Sequence, residues 1–160
     1  MGFLNNSYLC KKSEMLVILG ENKRYTFIVA NVTLAIGALI YLCCRTTDLY
    51  FFNLFPDGRL PMWLIETREW IATEVNMPEW VRYSLPDGLW LFSYLLFIDL
   101  LWGNTMRKWK LLFLTALPVG ILISEALQML HVIPGTGDWM DILFYMLALF
   151  LFINIKYLQL

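Results

Sequence analysis

The sequence predicts an all-α membrane protein: four transmembrane helices, with an amphipathic interfacial helix between the first and the second. Three observations lead there. Of 160 residues, 59% are hydrophobic and 16% charged, whereas a soluble domain is nearer half apolar and a quarter charged. Mean hydropathy is +0.61. Apolar runs recur at residues 25–44, 87–103, 110–131 and 138–157, and about 20 helical residues at ~1.5 Å each cover a ~30 Å hydrocarbon core. Residues 1–160 thus read as one four-helix transmembrane domain with a long loop over residues 45–86.

Composition also excludes. Net charge is −1 with no block of like charge, so neither a nucleic-acid surface nor a disordered tail is expected. Cys10, Cys43 and Cys44 fit neither a disulfide framework nor a zinc pattern and read as packing residues. No P-loop, Gly-rich nucleotide motif or Ser/His/Asp order occurs, so no cofactor is expected. The first run long enough to span is followed by no small-x-small site and reads as a retained helix rather than a cleaved signal.

In chain order, residues 1–24 are mixed and basic, and the apolar stretch at 15–20 is too short to span. In the first span, Ala30, Ala35 and Gly37 are candidates for close helix contact, with chance placement an equal alternative. Pro56-Asp57-Gly58 reads as a turn. The stretch from Pro61 to Ile71 begins with Pro, as helices often do, and Trp63 and Trp70 are seven apart, so a surface helix with Trp in the headgroup layer is expected. Ser84-Leu85-Pro86-Asp87 reads as a helix start with Ser84 as N-cap. Asp99, near the far end of that span, has Arg107 or Lys108 as expected partners. The third span holds Pro118-Val119-Gly120, a candidate bend.

Positive residues set the expected orientation. Four Lys/Arg precede the first span, three lie in the 104–110 turn and Lys156 lies near the end. The 45–86 loop has four Arg offset by six acids, and the connection between the third and fourth spans has no Lys or Arg. Both termini are therefore expected in the cytoplasm, in a multi-pass arrangement.

That orientation gathers Asp87, Glu125, Gln128, His131, Asp138 and Asp141 at the outer boundary. Glu125 and Gln128 are i,i+3, as are Asp138 and Asp141, and Tyr145 follows Asp141 by four. Asp138-Trp139-Met140-Asp141 resembles a capping box, and Asp87 also opens a helix, so capping is the competing explanation for these three. Glu125 has no such role. It lies two turns before a helix C-terminus, in an apolar layer where intramembrane acids are usually functional. Its structural alternative is an acid that is protonated or paired with an arginine, for which Arg82, near Asp87, is a candidate. His131 reads as an interfacial residue. Without His-x₃-His or Glu-x-x-His spacing, no metal site is expected.

Glu125-x-x-Gln128, then Pro134-Gly135-Thr136-Gly137-Asp138-x-x-Asp141 and an apolar helix, resemble the VanZ-like family of small bacterial membrane proteins. Leu85-Pro86-Asp87, followed by Phe92 and Tyr94, adds a weaker match, and together they span about the last half of the chain. The chain departs from the family in the turn, which carries no Arg, and after Asp141, where Tyr145 stands in place of Asn. The Lys and His expected after Asp87 are also absent, with Gly88 and Leu91 near those places. The resemblance implies an envelope protein of the bacterial cytoplasmic membrane with a link to teicoplanin-type glycopeptide resistance.

Three function classes follow. The first is a protein whose outward acidic pocket, formed by Glu125, Gln128, Asp138, Asp141, Asp87 and Tyr145, binds membrane lipid or another amphiphile. The second is an oligomeric channel or effector subunit, with self-association as its requirement. The third is an intramembrane enzyme using Glu125 or Asp141 as acid or base; with no nucleophile or metal motif beside these acids, a non-enzymatic role is favoured.

Overall fold

A computed structural model describes residues 23–45, 60–103 and 107–157. Among these residues the chain forms α1 (Lys23–Cys44), α2 (Met62–Glu74), α3 (Glu79–Arg82), α4 (Ser84–Trp102), α5 (Arg107–Met129) and α6 (Trp139–Tyr157), with no strand. The expected features at residues 1–22 and the Pro56-Asp57-Gly58 turn lie outside the described residues. Four helical stretches are long and apolar enough to cross a membrane: α1, α3 with α4, α5 and α6. The chain therefore reads as a multi-pass membrane protein.

α4 is the axis of the bundle. Half of its span is buried (50%), against 11% for α1 and α5. It packs on α1, α6 and α5. Between lipid-soluble helices there is little hydrophobic drive to associate, so close packing and hydrogen bonds must do it, and small residues let backbones approach. Ala30 and Gly37 are buried against α4 as the spacing suggested, while Ala35 is exposed. A Cβ at Gly37 would meet the Trp90 ring, and one at Gly88 would lie 2.9 Å from Phe144 Cβ and 3.1 Å from its carbonyl. The buried Ser93 hydroxyl donates to Ala30 O at 2.8 Å. The packed centre is Leu91, Leu95 and Leu96 with Tyr145, Ala148 and Phe152. Outward, Phe27, Leu39, Leu112, Ile123, Phe150 and Ile153 are exposed, which suits contact with acyl chains.

α5 runs unbroken through buried Pro118 and is tied to α4 where Tyr94 OH donates to Phe113 O at 2.8 Å. The second span starts earlier than expected. α3 leads into α4, Tyr83 occupies the junction, and no side chain caps it. Ser84 is thus not the N-cap: it lies inside the helix, fully buried, its hydroxyl without a partner.

α2 begins after Pro61, whose carbonyl accepts from Leu64 and Ile65. It packs on α1, with Leu64 buried and Trp63 and Trp70 exposed. Arg68 donates to Leu42 O and Arg45 O, so a side chain from α2 satisfies carbonyls that the end of α1 would leave orphaned. At the opposite end of the bundle, buried Asp99 accepts from Lys110 Nζ at 2.6 Å and pairs with Lys156 through its other oxygen. Of the expected partners, Lys108 is exposed and forms no ion pair with Asp99, while the Arg107 side chain lies outside the described residues. Lys156 is distant in sequence, and only the packing of α6 on α4 brings it near.

Candidate functional site

The turn between α5 and α6 is shaped first by how α5 ends. His131 has φ 56°, its N–H donates to Gln128 O at 2.9 Å, and Val132 N–H donates to Leu127 O at 2.9 Å. This pair of bonds is the Schellman arrangement, in which the left-handed residue is usually glycine. The imidazole itself is exposed, so what the turn uses of His131 is its backbone. His131→Gly is accordingly expected to raise stability by about 1 kcal/mol by removing the Cβ penalty, read as a higher unfolding midpoint in detergent micelles. A lower midpoint would mean that the imidazole makes contacts of its own.

α6 starts one residue after Asp138. The Asp138 carboxylate accepts Met140 N–H at 2.9 Å, so Asp138 is a true N-cap. The box closes differently from the expected reciprocal pair. Asp138 N–H donates to Glu125 Oε2 at 3.5 Å, so the acid reaching the cap comes from α5, not from Asp141. Gly137 makes this approach possible: a Cβ there would lie 2.6 Å from Met129 N and 3.0 Å from Glu125 O.

Glu125 is buried, with 8% of its surface exposed. Released from the cap, Asp141 keeps one carboxylate oxygen buried with no hydrogen-bond partner. Asp87 lies within Coulombic reach of both Asp141 and Glu125, and Tyr145, buried beside Ala148 in the core, lies within the field of all three. Asp87, Glu125, Asp141 and Tyr145 therefore converge where α4, α5 and α6 meet. Asp138 is exposed at the rim. Gln128 is turned to the loop: its amide lies under Gly135, where a Cβ would come within 2.6 Å of Oε1, and Nε2 is 3.5 Å from Ser124 Oγ.

The cation of this corner is Arg45, not Arg82. Arg45 Nη2 lies 3.6 Å from Asp87 Oδ2 and donates to Tyr83 O at 3.3 Å. Its guanidinium sits 5.5 Å from the Tyr41 ring centre and 5.0 Å from that of Tyr83, contacts that favour a cation over the ring face. The sequence held one signal for it: Arg45 directly follows the first apolar run, at the bundle end where Asp87 begins the next span. Three carboxyl groups within Coulombic reach of one another, with Arg45 paired to Asp87, put more acid than base in a poorly solvated corner, a condition relieved by a proton, a cation or a hydrogen-bond donor. Among the described residues, no group of three or more His, Cys, Asp or Glu side chains is placed to hold a metal ion.

Compared with protein-family models, with characterised proteins and with solved structures, the chain matches none.

Proposed function

We propose that this chain is a divergent VanZ-like protein of the bacterial cytoplasmic membrane, with both termini cytoplasmic. The corner of Asp87, Glu125 and Asp141 then faces outward and binds the polar head of a lipid or amphiphilic envelope ligand. One observation carries the reading: the Asp141 carboxylate oxygen is buried and unpartnered beside two further acids. A head group bearing an ammonium or several N–H or O–H donors would satisfy that oxygen while its tail stays in lipid. The basic 104–110 turn and acid-rich 45–86 loop support the orientation. A role in teicoplanin-type resistance is the expectation that the resemblance carries.

The test is native mass spectrometry of the protein extracted with its own lipids, wild type beside Glu125→Ala and Asp141→Asn. The wild type is expected to retain an amine-bearing lipid that both variants lose by about tenfold, or ~1.4 kcal/mol of binding. Equal retention by all three proteins would sink the proposal.

A further inference from the structure

A second concavity, partly open and lined by apolar side chains together with charged ones, lies at the same end of the bundle and shares no lining residue with the acidic corner. It is a cavity of about 280 Å³ between the end of α1, the second half of α2, and α3, lined by Cys43, Cys44, Arg68, Glu69, Ala72 and Arg82, among others. That is far more than one water, whose share of liquid volume is about 30 Å³.

The two arginines are in different situations. Arg68 is committed to Leu42 O and Arg45 O, and its charge offsets the negative end of the α1 dipole. Arg82 Nε is buried and has no hydrogen-bond partner. Glu69 lines the same space, but among the described residues no ion pair joins it to Arg82. A buried guanidinium N–H without an acceptor is costly, and the planar fork of an arginine matches two oxygens of one phosphate.

The setting narrows the ligand further. The cavity adjoins the last turn of a membrane-length helix, and α2 carries exposed Trp63 and Trp70. Exposed Trp beside Arg at the end of a span is the signature of the headgroup layer, where phosphates lie. We propose that this cavity is a binding site for a phosphate group, held by the Arg82 Nε fork with Arg68 adding positive charge. The proposal does not rest on the acidic corner, which would take a cation.

The experiment uses the full chain in detergent micelles, titrated calorimetrically with three probes: dioctanoyl phosphatidylglycerol, inorganic phosphate, and dioctanoylglycerol, which lacks phosphate. The phospholipid is expected to bind and dioctanoylglycerol not to. Arg82→Gln should weaken phospholipid binding by about tenfold or more. Arg82→Lys should recover only part of it, because an ammonium keeps the charge without the fork. Ala72→Leu, which fills the cavity without touching a charge, should weaken binding even if Arg82→Gln fails to fold. Competition by inorganic phosphate would identify the ion itself as sufficient; its failure to compete, with the phospholipid still binding, would assign the site to a headgroup with its chains. Equal affinity for phosphatidylglycerol and dioctanoylglycerol, or binding untouched by both Arg82→Gln and Ala72→Leu, would overturn the proposal.

Discussion

Asp99→Leu is expected to be the most damaging single change in this protein, lowering stability by about 3–5 kcal/mol. The carboxylate is buried, and its two oxygens engage different lysines: Lys110 from the start of α5 and Lys156 from the end of α6. Lys110 also donates to Gly103 O at 2.7 Å, so the same ammonium helps to close the end of α4. Leucine would leave two cations facing each other with no anion between them, and the loss is then the penalty of the stranded charges rather than the net worth of the original pairs. Asp99→Asn keeps the shape and loses the charge, so it should fall between. The triple change Asp99→Leu, Lys110→Met, Lys156→Met removes all three charges and should recover most of the loss. Unfolding midpoints in detergent micelles would decide: a midpoint for Asp99→Leu within error of the wild type would show that the cluster contributes nothing.

Gly137→Val should follow, at about 1–3 kcal/mol, the usual cost of forcing extra atoms into a packed site. The atoms that a side chain would strike are Met129 N and Glu125 O. Both are helix backbone and cannot swing aside, so the turn must move away from α5. The Glu125–Asp138 bond would be lost with it. The effect of Glu125→Ala on ligand retention should therefore be much smaller in a Gly137→Val background, a non-additivity expected only of coupled neighbours. Additive effects would show that the turn does not hold Glu125 in place.

What the sequence disclosed and what it hid divide along one physical line. The four spans were legible because a lipid-crossing helix must be apolar along its whole length, a demand each segment meets alone. The Asp138 cap was legible for the same reason: cap and capped N–H lie two residues apart. Partnerships between distant segments were not. Arg45 with Asp87, Lys156 with Asp99, and Glu125 with the Asp138 N–H all depend on which helices neighbour each other and at what height. Sequence position instead suggested Arg82, near Asp87, as a partner for Glu125, and Arg107 or Lys108 for Asp99. Ser84 misled in another way. Its position before Pro86 and Asp87 has the form of a helix start, but α3 runs into α4 there, and the hydroxyl is buried without a bond. Gln128 and Glu125, one turn apart, both face the turn that the αL residue at His131 folds back, the Glu125 carboxylate meeting the Asp138 N–H and the Gln128 amide lying under Gly135.

The Asp99 cluster also bears on how the chain is put together during synthesis. α4 carries an acid near each end, and as the chain emerges in order, Arg45 is already present when Asp87 appears and Lys110 follows Asp99 within eleven residues. The first three of these spans can thus enter the bilayer with both acids of the central helix compensated before α6 is translated. α6 arrives bearing Asp141 at its first turn and Lys156 at its last. Docked parallel to α4, it brings Lys156 to Asp99; inserted the other way up, it would set Asp141 against Asp99 and withdraw the second ammonium. One charge at each end of α6 thereby acts as a polarity check on its insertion.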